Sequence, residues 1–203
     1  PELASILNAE TLESGSLRCR DFGNPTEWWG YADGRWWVQD AAAALPIKLI
    51  GDVRGLNVID LCAAPGGKTA QLAMGGANVI SLDSSNVRSE TLKANMKRLG
   101  LTSNTIISDL RDWEPSITAD LVVLDAPCTA TGTCRRHPEI LRLRGSEDVH
   151  KMVKIQKNLL DAGAAMVPNG GTLLYITCSL QPEEGPGQVA LGGRERGRRG
   201  RRR

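Results

Sequence analysis

The sequence predicts an α/β fold built on a mostly parallel sheet, and three observations predict it. Short apolar runs at 57–61, 78–82, 105–107, 121–124 and 172–176 alternate with stretches whose apolar residues recur at helical spacing. Strands that alternate with helices imply right-handed βαβ crossovers. Polar or reactive residues cluster just after each strand, where sheets of this kind bind ligands, while the strands carry almost none.

The elements follow in order. Residues 1–38 read as a remnant of an N-terminal region and linker. Six of the eight aromatics lie there (Phe22, Trp28, Trp29, Tyr31, Trp36 and Trp37). Packing against the main domain and base stacking both account for them. Asp40 is placed to cap a helix from Ala41 to Ile50. Asn57 to Leu61 is a strand, followed by a glycine loop and a helix over Lys68 to Met74. Asn78 to Leu82 is the second strand. Val87 to Leu99 carries apolar residues at helical spacing and stops at Gly100, a favourable helix end. Thr105 to Ile107 is the third strand. Leu121 to Leu124 is the fourth, an unbroken apolar run suited to burial on both faces. Glu147 to Val167 is expected as a helix capped by Ser146 and ended by Pro168. Gly170 and Gly171 then turn into the fifth strand, Thr172 to Ile176.

Composition limits the function classes. The apolar fraction of 41% and charged fraction of 24% suit a globular protein, and no apolar run approaches the ~20 residues of a membrane span. A cytoplasmic monomer is expected, and no membrane partner. The start at Pro1 reads as a cut in a longer protein. Net charge is +2, yet Arg194 to Arg203 alone carries +6, so the rest carries −4, the difference between the two. The folded part therefore shows no overall basic character that would mark nucleic-acid binding. The segment 188–203 is expected to be a disordered Gly/Arg tail. It reads as a shifted reading frame or an artificial extension, with an RNA-binding tail as the alternative.

The five cysteines (Cys19, Cys62, Cys128, Cys134 and Cys178) are odd in number, widely spaced and without a Cys-x-x-Cys pair. That is a poor disulfide framework and a poor zinc site, so reduced thiols and no metal are expected.

Val58 to Thr69 runs from strand to helix as Val-Ile-Asp-Leu-Cys-Ala-Ala-Pro-Gly-Gly-Lys-Thr. Gly66 and Gly67 let the backbone approach a ligand, and the helix that follows presents free N–H groups. The spacing fits neither a dinucleotide fingerprint nor a P-loop. Asp83 ends the second strand, where it can accept from ribose hydroxyls, and Asp109 follows the third, where it can accept from an adenine amino group. Asp60 and Asp125 add negative charge, which suits a sulfonium cation better than a pyrophosphate. S-adenosylmethionine meets those constraints. Ordinary turn and cap aspartates are the bland alternative, and four at successive strand ends weigh against it.

Cys128 follows the fourth strand and Cys178 the fifth. If those strands are neighbours, their ends lie about 5 Å apart and both thiols face one crevice. A small buried hydrophobe is the ordinary role of either cysteine alone. Beside a methyl donor, a thiolate can add to carbon 6 of a pyrimidine and make carbon 5 nucleophilic. Asp125 is placed to help at ring nitrogen 3 only if protonated or bridged. Arg135, Arg136 and His137 form a basic cluster after the fourth strand, suited to a solvated loop or to phosphate contact.

The cofactor loop, Asp125 to Glu139 (Asp-Ala-Pro-Cys-Thr-Ala-Thr-Gly-Thr-Cys-Arg-Arg-His-Pro-Glu), Tyr175 to Leu180 (Tyr-Ile-Thr-Cys-Ser-Leu) and Gly34 to Asp40 resemble the motifs of the RNA cytosine-5 methyltransferase family. The form of the second motif most resembles the bacterial 16S ribosomal RNA branch, the Sun or Fmu type. The resemblance covers roughly residues 30–185, in order. It implies a Rossmann-like, S-adenosylmethionine-dependent methyltransferase domain over 39–187, RNA as partner, and 16S rRNA as substrate. It implies that Cys178 is the nucleophile and that Cys128 assists product release. It implies cofactor contacts from Cys62, Ala63, Ala64, Pro65, Gly66, Gly67, Lys68, Asp83, Asp109 and Asp125, with Asp125 also near the base. Such enzymes have an N-terminal RNA-binding domain and two further strands, so the sheet here is expected to lack its last strands. A truncated fragment that binds cofactor or RNA without turnover is the alternative.

Overall fold

The computed structural model describes residues 2–19 and 23–190. Helix α1 (Glu2–Ile6) leads into an antiparallel pair, β1 (Ala9–Thr11) and β2 (Leu17–Cys19). There follow α2 (Ala41–Ile50), β3 (Asn57–Leu61), α3 (Gly67–Met74), β4 (Asn78–Asp83), α4 (Asn86–Leu99), β5 (Asn104–Ile107), β6 (Leu121–Asp125), α5 (Ile140–Leu143), α6 (Ser146–Ala165) and β7 (Thr172–Ile176). The five expected strands form one parallel sheet in the order β5-β4-β3-β6-β7. The chain steps outward from β3 to β5, then returns to place β6 on the other side of β3. The crevice beyond β3 and β6 is therefore the topological switch point, the usual ligand site of an open α/β sheet. Among the described residues, β5 and β7 are the edges.

Alternation along the strands builds two cores. Ile59 and Leu61 join Ile80, Leu82, Val122 and Leu124 under Leu159 and Leu160 of α6. Val58 joins Val79, Leu121 and Val123 on the opposite face, against Ile47 of α2 and Leu72 of α3. Burying each such side chain contributes about 2 kcal/mol. β6 is buried over Leu121 to Leu124, as its unbroken apolar run predicts.

Helix ends follow local chemistry. Asp40 accepts from Ala42 N at 2.9 Å and caps α2. Gly100 ends α4 in the left-handed region at φ 65°. The cap of α6 is Gly145, not Ser146: Asp148, in the first turn, reaches back to accept from Gly145 N at 3.0 Å, and Ser146 is already helical. The helix ends at Ala165 rather than Val167. The residue before Pro168 is sterically biased away from the helical region.

The linker aromatics pack. The Trp28 and Trp36 rings lie 6.1 Å apart, and Tyr31 meets Trp36 edge-on at 5.3 Å. Arg98 of α4 sits 3.8 Å over the Tyr31 ring and donates to the carbonyls of Tyr31 and Trp36. Gly34 (φ +69°) lies so close to the Arg98 carbonyl that a side chain would collide with it. Phe22 lies outside the described residues.

At the other end, residues 186–190 are helical, and Gln188 is buried and donates to Val153 O at 2.8 Å. The packed segment thus runs past the boundary expected at 187. The remainder of the expected tail, 191–203, lies outside the described residues. No helix among the described residues is long and apolar enough to cross a membrane.

Candidate functional site

Every residue singled out after a strand lies at the same end of the sheet, because all five strands are parallel. The loop Cys62 to Lys68 follows β3 and turns sharply: Cys62 has φ 58° and Gly66 has φ 101°. Asp83, buried at the end of β4, holds this loop. One carboxylate oxygen accepts from Ala64 N at 3.1 Å, the other from Ser85 N at 3.0 Å. Arg88 lies 3.6 Å from Asp83 and donates to the Ala64 carbonyl. Asp109 is paired with Arg111, which holds its carboxyl down to about 2.

Two cavities of about 400 Å³ each flank the loop. The first contains Cys62, Asp83, Asp109, Asp125, Arg88 and Arg111, with apolar walls from Leu110, Ile155 and Leu159. The second contains Ala63, Ala64, Pro65, Gly66, Gly67 and Lys68, together with Gln39, Asp40, Asp60 and Arg136. The residues expected to bind one cofactor are thus divided between two cavities, which share only Cys62 and Asp125. The first cavity is also less acidic than the sequence implies. Arg88 and Arg111 are turn and helix residues that a count of strand-end carboxylates leaves out.

Asp125 is held by Lys68, whose ammonium lies 2.7 Å away with its side chain mostly buried. Asp60 lies beneath, fully buried, accepting from Thr69 Oγ1 at 2.7 Å through one oxygen while the other has no hydrogen-bond partner. Burial, with help from the Asp125 charge, pushes its carboxyl up to about 7. Burial likewise pushes the Cys62 thiol up to about 12, with the Asp83 and Asp125 charges acting in the same sense. Cys62 is therefore a packing residue rather than a nucleophile.

The strands carrying the other two cysteines are direct neighbours, with Asp125 opposite Ile176. Cys128 Sγ and Cys178 Sγ lie 3.3 Å apart and share a hydrogen bond. That bond, reinforced by the Thr177 hydroxyl, pulls the Cys128 thiol down to about 6 against its burial. The same bond pushes Cys178 up, together with burial and the neighbouring Cys128 and Asp125 charges. The pair therefore holds one proton near neutral pH, as two strongly interacting groups do. Cys178 is exposed and Cys128 partly buried.

The two cysteine loops are stitched together by residues that the sequence reading did not single out. Gly132 N donates to the Cys178 carbonyl at 2.9 Å. Thr131 Oγ1 accepts from Leu180 N at 2.9 Å, and the Thr129 and Ser179 hydroxyls lie 3.1 Å apart. Glu184 is fully buried against both loops. A hydroxyl residue follows each cysteine directly in the sequence, which is the one local hint of this arrangement. Arg136 lines the second cavity and pairs with Asp40 at 3.3 Å; Arg135 and His137 line neither cavity. Among the described residues, no group of three or more His, Cys, Asp or Glu is placed to hold a metal ion.

Comparison with known proteins shows the family. The model of the family described as 16S rRNA methyltransferase RsmB/F matches residues 51–196. The chain belongs to that family. It is 39% identical over 165 residues to ribosomal RNA small subunit methyltransferase B of Vibrio cholerae, covering 79% of this chain and 38% of that protein. The Vibrio vulnificus protein of the same name is 41% identical, covering 79% and 39%. The chain thus spans under two-fifths of the length of these relatives. Among solved structures, NSun6 from Pyrococcus horikoshii with SFG superposes with a TM-score of 0.79 at 28% identity, covering 86% of this chain and 46% of that one. A methyltransferase homologue from Pyrococcus horikoshii gives a TM-score of 0.78 at 28% identity, covering 95% and 65%.

Proposed function

We propose that this chain carries the catalytic domain of an S-adenosylmethionine-dependent RNA (cytosine-5-)-methyltransferase that acts on small-subunit ribosomal RNA. The observation that carries the reading is the thiol pair: two sulfurs 3.3 Å apart beyond neighbouring strands, a few residues from an Asp125 that borders both cavities. The names of the relatives supply the substrate class.

The first cavity fits the cofactor chemically. Asp83 and Asp109 offer acceptors for ribose hydroxyls and an adenine amino group, and Leu110, Ile155 and Leu159 offer apolar walls. Cys62, Asp83, Asp109 and Asp125 would hold it, and Asp83 in turn fixes the start of the Ala63 to Lys68 loop through its bond from Ala64 N. When bound, the cofactor supplies an electrophilic methyl group on a sulfonium.

The chain's own residues do the remainder. Cys178 is the nucleophile, and its proton passes along the short S–H···S bond to the Cys128 thiolate as Cys178 adds to carbon 6 of the cytosine. Asp125, bridged to Lys68, faces ring nitrogen 3, with the ammonium as the proton source. After methyl transfer to carbon 5, the carbon 5 proton passes to solvent water and nitrogen 3 returns its proton to Lys68, so the Cys178 thiolate can leave. Cys128, now a thiol, assists that release by giving its proton back to Cys178. Arg136 contacts an RNA phosphate once it parts from Asp40.

The test is methyl transfer from labelled S-adenosylmethionine to unmodified small-subunit rRNA. Cys178→Ala should abolish transfer, and Cys128→Ala should accumulate a covalent RNA adduct on a denaturing gel. Persistent transfer by Cys178→Ala would sink the assignment. Cofactor binding without transfer by the unmodified chain would favour a non-catalytic binding fragment.

A further inference from the structure

We propose that Glu184 is a positioning residue for the thiol pair, a buried strut that fixes the separation of the two cysteine loops. The carboxylate gathers donors from three elements. One oxygen accepts from Thr129 N at 2.9 Å and from Gln156 Nε2 at 2.7 Å. The other accepts from Ser179 Oγ at 2.8 Å and from Thr129 Oγ1. Thr129 is the neighbour of Cys128, and Ser179 is the neighbour of Cys178. Gln156, on α6, also donates to the Pro127 carbonyl at 2.9 Å, directly before Cys128. The main chain of the strut is held as well: Tyr175 OH donates to the Glu184 carbonyl at 2.9 Å.

An ionised carboxylate has about four acceptor sites, and four donors fill them. Such satisfaction is what a fully buried charge requires. Burial alone would push the Glu184 carboxyl up; the bonds from Thr129, Ser179 and Gln156 outweigh it and hold it below the usual range. Each anchor lies one residue from a sulfur, so a slackened strut separates the sulfurs and weakens the bond on which their shared proton depends. Asp125, Tyr175 and Thr177 also face the pair, and replacing Glu184 leaves all three in place.

The inference rests on reading this pair as the catalytic thiols, but its test needs neither cofactor nor RNA. A failed methyl-transfer assay therefore leaves it standing. The experiment is iodoacetamide labelling of Cys128 and Cys178 in the full chain as a function of pH, quantified by peptide mass spectrometry. Two variants separate reach from charge. Glu184→Asp keeps the charge but is one methylene too short to bridge both loops. Its labelling profile should move up toward the free-thiol value of ~8.5. Thiolate at pH 6.5 then falls steeply while the remaining thiolate is intrinsically more nucleophilic, so labelling drops on the order of tenfold. Glu184→Gln loses the charge but keeps the reach. One oxygen still accepts from Thr129 N and Gln156, and the two hydroxyls can turn to accept from its amide, so labelling should stay within about twofold of the parent. A parental profile in Glu184→Asp, or a larger shift in Glu184→Gln than in Glu184→Asp, overturns the proposal. A Glu184→Asp chain that fails to fold by circular dichroism overturns it too, because Glu184 is then structural only.

Discussion

Gly132→Ala tests the packing of the two cysteine loops most directly. A Cβ on Gly132 would stand 2.5 Å from the Cys178 carbonyl oxygen and 3.4 Å from its carbon. A carbon-to-oxygen contact needs about 3.3 Å, so the loops must part by about 0.8 Å. The atom met is backbone, so no side-chain rotation relieves the clash. Overpacking of this kind costs about 1–3 kcal/mol. The parting also breaks the 2.9 Å bond from Gly132 N to the Cys178 carbonyl, worth about 1 kcal/mol more. A displacement near 1 Å beside reacting groups costs turnover on the order of 100-fold. Urea unfolding should therefore show a loss of about 2–4 kcal/mol, and methyl transfer to rRNA should fall by one to two orders of magnitude. A parental midpoint together with parental turnover would refute the argument, because it would mean that the loops are not in contact at Gly132.

The other predictions concern charge and reactivity. Asp60 keeps its proton to about pH 7 when folded but loses it near 4 when unfolded, so its contribution makes stability fall as pH rises from about 4 to 7. Asp60→Asn removes that loss, and its advantage over the parent should grow across the window, toward an upper bound of about 4 kcal/mol. A gap between the two unfolding curves that does not change with pH counts against it. Cys62 should resist iodoacetamide at pH 8 while the Cys128–Cys178 pair reacts, because burial holds Cys62 as a thiol to about 12; prompt modification of Cys62 by mass spectrometry would contradict this. Arg136→Ala should weaken RNA binding and lower the salt slope by roughly 0.7–0.9, one phosphate contact's worth. An unchanged slope would remove Arg136 from the RNA interface.

The sheet was legible because its three central strands, β4, β3 and β6, are buried along almost all their length and read as largely apolar runs, and each of the five strands was found within a residue or so of its expected place. The reactive pair was legible for a related reason: in a parallel sheet, residues just past neighbouring strands must meet. The partners of the site were much harder to see. Arg88 and Arg111 look like ordinary surface residues, yet they neutralise part of the cavity beside Asp83 and Asp109. The bond from Glu184 to Thr129 spans 55 residues and has no local period to betray it. Gly132 reads as one glycine among 22, and only its approach to the Cys178 carbonyl explains it. The cap of α6 was misplaced because Ser146 has the usual capping chemistry, whereas Asp148 reaches back to Gly145 instead. The loop Cys62 to Lys68 reads in the sequence as one surface around the cofactor, but of its residues only Cys62 borders the cavity that holds Asp83 and Asp109, and the rest line the other cavity.

That partition has a kinetic consequence. The two chambers have separate linings and meet only at Cys62 and Asp125. Neither lining includes Cys128 or Cys178, so under the proposed reaction RNA held at the thiols does not fill the first chamber, and the spent cofactor can be exchanged while the RNA stays bound.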